Sequence, residues 1–112
     1  MEYIGTIEGD RGLEEKEQIV IYGAGKVGRH VLEFSRKAGW KKTVTCFCDG
    51  NPAMAGKLIE EVIVLTPEEA CARYPGGTYL VASMCVRQMV ETLLRYGIEN
   101  EKIHIIRESE TE

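Results

Sequence analysis

Three glycines in the pattern G-x-G-x-x-G constrain the fold of this chain more than any other feature of its sequence. They lie in IVIYGAGKVGRH, residues 19–30, between an apolar run and the start of a predicted helix. Gly23 permits a tight turn, Gly25 leaves room for phosphates beside the backbone, and Gly28 lets the helix pack closely on the strand. Free N–H groups at the helix start would face an anion. The stretch from Gly23 to Gly28, the glycine loop, therefore predicts a site for nucleotide phosphates.

An acidic residue follows the next predicted strand, where a dinucleotide site needs one. Asp49 comes directly after TVTCFC, roughly 20 residues beyond the glycine loop. A carboxylate there accepts hydrogen bonds from two ribose hydroxyls and repels a 2′-phosphate, which favours NAD over NADP. Lys26 adds a positive charge within the loop. The alternative is that the glycines serve only a tight strand–helix turn and that Asp49 only caps the turn after it.

Apolar periodicity divides the rest of the chain into alternating strands and helices. QIVIY has no polar alternation, as expected for a strand covered on both faces. Helical spacing predicts helices from Lys26 to Ala38, from the capping box of TPEEACARY, and from Val86 to a stop at Gly97. LIEEVIVL predicts a short hairpin or bent strand, and TVTCFC, TYLVAS and KIHII predict strands. The order predicts an α/β fold: a three-layer, Rossmann-like parallel sheet with helices on both faces and a short hairpin after the second strand.

The chain is long enough for one domain. It has 112 residues, 44% of them hydrophobic and 29% charged, and a net charge of -4. Residues 1–17 contain three glycines and the charged run EEKE, which predicts a flexible lead-in or linker, and residues 18–112 are predicted to form a single Rossmann-like nucleotide-binding domain. The negative charge argues against a nucleic-acid binder. No signal peptide and no apolar run of about 18 residues is visible, so we expect a cytoplasmic protein without a membrane partner.

Two polar residues at or after the end of the predicted strand TYLVAS, Ser83 and Arg87, each have two possible interpretations. Ser83 follows the strand TYLVAS and is expected either to offer its hydroxyl to the ligand or to cap the last helix. Arg87, one turn into that helix, reaches a phosphate or belongs to a solvated helix face. His30 and His104 have no nucleophile or carboxylate partner in the sequence and are interpreted as structural or surface residues.

The four cysteines are expected to be reduced in a cytosolic protein. Cys46 and Cys48 alternate along a predicted strand, so both thiols should face the same side of the sheet. Further ligands at metal-site spacing are not visible, and we interpret the pair as small buried apolar residues. No catalytic residue and no metal ligand is predicted.

The sequence resembles a group of small bacterial domains. The segments IVIYGAGKVGRHVLEF, CFCDGNPAMAGKLIEEVIVLTPEEA and YLVAS carry the resemblance, over roughly residues 18–106. It resembles the Rossmann-type nucleotide-binding domain of polysaccharide- and sugar-modifying enzymes, namely nucleotide-sugar dehydratases, sugar acyltransferases and methyltransferase-associated domains. It is also similar to the NAD(H)-binding domain of redox-sensing repressors. Glu61 departs from the glycine usual in the hairpin turn, which puts the hairpin in question.

This resemblance implies a set of ligand contacts and a function. Phosphate contacts are implied for Gly23, Ala24, Gly25, Lys26, Val27 and Gly28, and ribose or base contacts for Asp49 and Asn51. We expect a nucleotide-binding module for NAD(H) or a nucleotide sugar such as a UDP-sugar, fused to or associated with a sugar- or polysaccharide-modifying enzyme. The chain leaves little sequence for catalytic machinery of its own. An NADH-responsive regulatory domain and a small enzyme completed by a homodimer partner remain as alternatives.

Overall fold

Six strands form one sheet at the centre of the computed structural model, which describes residues 18–40 and 44–106. The strands are β1 (Ile19–Tyr22), β2 (Cys46–Cys48), β3 (Leu58–Ile59), β4 (Val62–Leu65), β5 (Thr78–Val81) and β6 (Ile103–Ile105). The helices are α1 (Lys26–Lys37), α2 (Pro67–Arg73) and α3 (Val86–Arg95), with short 3-10 turns at Pro52–Met54 and Asn100–Lys102. The predicted order of strands and helices is confirmed. The predicted lead-in, residues 1–17, and the tail after residue 106 lie outside the described residues.

The strand order places the reversal of the sheet beside β1. The order is β3-β4-β2-β1-β5-β6, and every pair is parallel except β3 with β4. From β1 the chain moves outward on one side to β2 and β4, and then crosses to β5 on the other side. In open parallel sheets, ligands bind at the carboxyl ends of the strands where the order reverses. The relevant edge is therefore the one at which β1 and β5 end side by side.

Helices cover both faces of the sheet, which confirms the three-layer α/β prediction. Alternate residues of a strand point to opposite faces, so β1 contributes to two separate cores. On one face, Ile19 and Ile21 pack in the cluster that contains Val31 and Leu32 of α1. On the other, Val20 and Tyr22 pack with α2 and α3. All four residues of β1 are buried, as its unbroken apolar run predicts.

The helix boundaries agree with the sequence to within one residue. α1 ends at Lys37, with Ala38 as its C-cap, and Gly39 then adopts a φ of 71°. Gly97 follows α3 with a φ of 93°. These positive φ angles favour glycine, because a side chain there is crowded by the following carbonyl group. Within the described residues, no helix is both long and apolar enough to cross a membrane.

The hairpin between β3 and β4 forms without the expected glycine. Glu60 and Glu61 occupy its turn with φ angles of 51° and 73°, the left-handed region that glycine enters most easily. Glu61 thus keeps the backbone conformation typical of this turn, although its side chain makes that conformation less favourable. The guanidinium group of Arg36 donates a hydrogen bond of 2.8 Å to the Glu60 carbonyl oxygen and so stabilises the turn from α1.

Candidate nucleotide site

Three loops meet at the carboxyl edge of the sheet. The Gly23 N–H donates to the carbonyl oxygen of Cys48 at 2.8 Å, and the Ala82 N–H donates to that of Tyr22 at 2.9 Å. The glycine loop therefore lies between the residues that follow β2 and those that follow β5. The structure brings together the segments Gly23–Gly28, Asp49–Asn51 and Ala82–Met84, as the sheet topology predicts.

Two of the three glycines are required by the protein itself. Gly23 has a φ of 115°, and a Cβ atom on it would lie 2.5 Å from the carbonyl oxygen of Ala82. A Cβ atom on Gly28 would overlap the carbonyl oxygen of Gly23, because α1 packs directly against the turn. Both positions thus have a structural reason to be glycine. Neither can be used to decide whether a ligand binds.

Gly25 differs from its two neighbours in the motif. Its φ is −92°, which any residue adopts, and a Cβ atom on it would meet no protein atom within 4 Å. It is exposed and precedes the first residue of α1 as the N-cap. Neither backbone conformation nor packing in the described residues calls for glycine here. The free space in front of Gly25 is the kind of space that a phosphate group of a ligand would fill.

The first turn of α1 is open to an anion. Within the described residues, the backbone N–H groups of Gly25, Lys26, Val27 and Gly28 donate no hydrogen bond. Gly25 has no side chain to cap the helix, and no acidic residue lies in the first turn. Lys26 is exposed, whereas Val27 is partly buried and Ala24 is fully buried against the sheet. Free N–H groups together with a lysine attract phosphate, since the helix dipole adds positive potential at this end.

Asp49 links the glycine loop to the loop after β2. One oxygen of its carboxylate accepts a 2.9 Å hydrogen bond from the Ala24 N–H, and the other accepts one of the same length from the Asn51 N–H. The side chain is partly exposed. Each carboxylate oxygen has a second lone pair, so ribose hydroxyls could still donate to it. Asp49 therefore caps the turn after it, as the alternative interpretation holds, and also lies where a ribose is expected.

Two other residues that were predicted to contact the ligand make local hydrogen bonds. The side-chain oxygen of Asn51 accepts from the Ala53 N–H at 3.0 Å and caps the 3-10 turn, which leaves its amide donors for a ligand. The Ser83 hydroxyl accepts from the Cys85 N–H at 3.2 Å. Cys85 is the N-cap of α3, so the interpretation of Ser83 as that cap is wrong. The hydroxyl instead closes a short turn before the helix, a bond that Ser side chains often make.

Arg29, which was not among the predicted site residues, has its side chain against the glycine loop. Its Nε donates to the Ala24 carbonyl oxygen at 3.4 Å. Side chains on a helix lean towards its N-terminus, so the fourth residue of α1 reaches back over the start of the helix. The sequence signal was present, since Arg29 directly follows the third glycine. Arg87, by contrast, is exposed at the start of α3 and lines a groove of about 340 Å³ together with Met84 and Gln88.

A second groove, of about 420 Å³, follows the outer surface of α1 from Arg29 to Lys37 and reaches Glu60 in the hairpin. Like the groove beside Arg87, it does not include the glycine loop or Asp49. The glycine loop remains the candidate phosphate position, because backbone donors that protrude from a loop bind phosphate without a deep cavity.

The buried thiols lie on the face of the sheet that α2 and α3 cover. Cys46 and Cys48 both point into that core, as their alternation predicts. Burial raises the pKa of the Cys46 thiol to about 12 and also raises the pKa of Cys48. Both are therefore neutral thiols at pH 7, and their placement agrees with a packing role. Across residues 18–40 and 44–106, no three or more His, Cys, Asp or Glu side chains form a group able to hold a metal ion.

Sequence comparison finds no protein-family profile and no curated protein that matches the chain. Solved structures do match. The Rex-family repressor RSP superimposes with a TM-score of 0.63 at 18% identity over 86% of this chain and 55% of its own. UDP-D-quinovosamine 4-dehydrogenase from Vibrio fischeri gives a TM-score of 0.65 at 21% identity, over 83% of this chain and 80% of its own.

RSP has also been solved with β-NADH, and that structure matches with a TM-score of 0.61 at 17% identity, over 84% of this chain and 54% of its own. The chain thus spans about half the length of the repressor structures that it matches. A repressor and a nucleotide-sugar enzyme, the two kinds of protein that the sequence resembles, are both among the structural neighbours. With identities of 17–21%, what these comparisons show is the fold, and the chain has the Rossmann-type α/β fold.

Proposed function

We propose that the chain is an NAD(H)-binding module. In this proposal the N–H groups at the start of α1 bind the diphosphate, and Lys26 neutralises part of its charge. Asp49 accepts hydrogen bonds from a ribose, while Asn51 and Ser83 border the same edge of the sheet. The proposal uses only groups that the fold already brings together.

Gly25 is the single observation that carries the proposal. A strand–helix turn with a purely structural role needs Gly23 and Gly28, because a Cβ atom on either would meet a carbonyl group. It does not need Gly25, where a Cβ atom would meet open space at an ordinary φ. A ligand phosphate close to the backbone supplies the missing reason. The structural alternative explains this glycine only by the mild preference for glycine at a helix N-cap.

The neighbours support NAD(H) and keep a nucleotide sugar as the second ligand class. RSP was solved with β-NADH and with β-NAD+, and the Vibrio fischeri enzyme is a dehydrogenase of a UDP-sugar. NADH and UDP-sugars share a diphosphate next to a ribose, so the same loop could hold either. Asp49 favours a ribose with free hydroxyls, because its negative charge would repel a 2′-phosphate. We therefore expect NADPH to bind more weakly than NADH.

For the protein as a whole, we propose a role as the nucleotide-binding part of a sugar- or polysaccharide-modifying system. The repressor neighbours favour a second candidate, an NADH-responsive regulatory domain. RSP has been solved with operator DNA, whereas this chain has a net charge of -4, which argues against its own binding to DNA. A change of oligomeric state with NADH but not with NAD⁺, measured by light scattering, would favour the regulatory role.

The test is calorimetric titration of the purified chain with NADH, NAD⁺, NADPH and a UDP-sugar. A ligand at 100 times its dissociation constant should stabilise the fold by about 2.7 kcal/mol, which thermal unfolding detects easily. The variant Gly25→Val should keep the wild-type fold and lose binding, because the added side chain fills the phosphate position. Binding that survives Gly25→Val would place the ligand elsewhere. If none of the four ligands binds the wild type, the proposal is wrong.

A further inference from the structure

We propose that Arg29 is the second cation of the diphosphate site, alongside Lys26. This inference rests on the proposed binding of NAD(H) at the glycine loop. It assigns a ligand contact to a residue outside the G-x-G-x-x-G pattern, and it specifies that the site selects diphosphate esters through two positive charges.

The position of the Arg29 side chain is the first support. Its Nε lies 3.4 Å from the carbonyl oxygen of Ala24, the residue that precedes Gly25. The guanidinium group is thereby held beside the loop, whose N–H groups from Gly25 to Gly28 donate no hydrogen bond to any residue that the structure describes. A hydrogen bond of 3.4 Å to a neutral carbonyl is weak, and it uses one of the five N–H donors of the side chain. The remaining donors are available to phosphate oxygens, which guanidinium groups bind in pairs.

The charge around Arg29 is the second support. Glu33 lies four residues further along α1 and would be the usual helical partner of Arg29. In the structure Glu33 instead pairs with Lys37, at 3.4 Å. In the part of the chain that the structure describes, no carboxylate forms an ion pair with Arg29. Among residues 18–40 and 44–106 the Arg29 guanidinium group is thus not neutralised by an ion pair, and it adds a positive charge beside the loop in a chain with a net charge of -4.

The ligand chemistry accounts for the need for two cations. The diphosphate of NADH or of a UDP-sugar is esterified at both ends and carries two negative charges at pH 7. Lys26 supplies one compensating charge, and the helix dipole contributes only about half an elementary charge. Arg29 supplies the second. Free phosphates compete less well, because one phosphate group cannot contact both side chains and the N–H groups as fully.

The experiment compares Arg29→Gln with the matched control Lys37→Gln. Each substitution removes one positive charge from an exposed position on α1, but Lys37 lies at the opposite end of the helix. NADH and ADP-ribose are titrated into each variant and the wild type at 0.1 M and 1 M NaCl, and thermal unfolding is recorded without ligand. Arg29→Gln should weaken binding of both ligands about tenfold or more, the size of a charge-assisted hydrogen bond. The loss should shrink at 1 M NaCl, because salt screens the charge.

The outcomes separate this inference from the proposed function. If the wild type binds neither NADH nor ADP-ribose, the proposed function is wrong and the role of Arg29 is wrong with it. If the wild type binds and Arg29→Gln binds equally well, only the inference about Arg29 is wrong. Equal losses of affinity at both salt concentrations, together with a lower melting temperature, would show that Arg29 merely supports the loop through Ala24. Lys37→Gln should bind both ligands as the wild type does.

Discussion

α1 and α2 begin at the same edge of the sheet, but their N-termini differ in capping and in charge. At α2, the Thr66 hydroxyl accepts from the Glu69 N–H at 3.1 Å, and the Glu69 carboxylate accepts from the Thr66 N–H at 3.2 Å. Pro67 has no N–H group to satisfy, and Glu68 adds a second negative charge. The helix supplies its own acceptors and its own negative charge. Such an end has little left to offer to an anion.

At α1 each of these features is missing. The N-cap is Gly25, the first turn has no acidic residue, and the neighbouring side chains of Lys26 and Arg29 are positive. The backbone N–H groups from Gly25 to Gly28 have no acceptor within the described residues. The difference shows that a helix at this edge of the sheet can be capped by its own side chains, as α2 is, whereas α1 and α3 have no side-chain cap. What distinguishes α1 from α3 is the glycine loop before it and the contact of Arg29 with that loop. In the proposed function, a ligand phosphate is the acceptor at the start of α1.

The largest expected effect is a loss of stability where the start of α1 packs against the turn at Gly23. Gly28→Ala should lower the free energy of unfolding by about 3 kcal/mol, since its Cβ atom would overlap the Gly23 carbonyl oxygen. Gly25→Ala is the matched control and should change the stability by less than about 1 kcal/mol, because its Cβ atom meets no protein atom. Urea denaturation of both variants provides the measurement. Equal losses would mean that Gly25 has a structural role after all.

The next effect concerns the hydrogen bonds by which Asp49 stabilises the glycine loop before α1. Asp49→Ala removes the acceptor for two backbone N–H groups, so it should reduce stability as well as NADH affinity, the latter by about 2 kcal/mol. Calorimetry measures the affinity, and thermal unfolding without NADH measures the stability. A variant that loses affinity at unchanged stability would show that these backbone hydrogen bonds contribute nothing.

A substitution in the capped N-terminus of α2 should change the stability of the protein but not its affinity for NADH. Thr66→Ala breaks the capping box of α2 and should cost about 1 kcal/mol of unfolding free energy. Because Thr66 is not part of the proposed site, NADH should bind this variant with wild-type affinity below its melting temperature. A drop in affinity at a temperature where the variant is fully folded would mean that the two helix starts are coupled.

The smallest effect has opposite signs in the two measurements. Lys26→Glu gives α1 an acidic first turn like that of α2, and should stabilise the free protein by about 0.5 kcal/mol through the helix dipole. The same charge should repel a diphosphate and weaken NADH binding. Thermal unfolding and calorimetry on one preparation give both values. If stability and affinity rise together, the start of α1 does not bind an anion.

Much of the fold followed from local patterns. The buried run at β1, the apolar stripes of the helices and the capping box at Thr66 depend on residues close together in the sequence, and each forms as predicted. The position of the glycine loop beside Asp49 also followed, since parallel strands bring their carboxyl ends to one edge. The sequence predicts a short hairpin or a bent strand before α2, and Glu61 puts the hairpin in question. The hydrogen bond from Arg36, a residue of α1, is not visible in the sequence.

Details of the candidate site depend on where side chains point. The short turn that Ser83 closes and the double role of Asp49 involve backbone N–H groups whose directions are fixed only by the complete sheet. The same holds for the contact between Arg29 and Ala24. A sequence motif identifies the residues within it. It does not identify Arg29, which contacts the loop only because its long side chain extends back over the start of α1.

The two hydrogen bonds accepted by Asp49 limit how this chain could be re-engineered. Changing a Rossmann-type site to accept a 2′-phosphorylated cofactor normally begins by removing the acid at this position. Here that change would leave two backbone donors without their acceptor, one of them on the glycine loop itself. A designer would first have to provide another acceptor for the Ala24 N–H. In the proposed site, cofactor preference and the integrity of the glycine loop would both depend on the Asp49 carboxylate, so a single substitution there would change both.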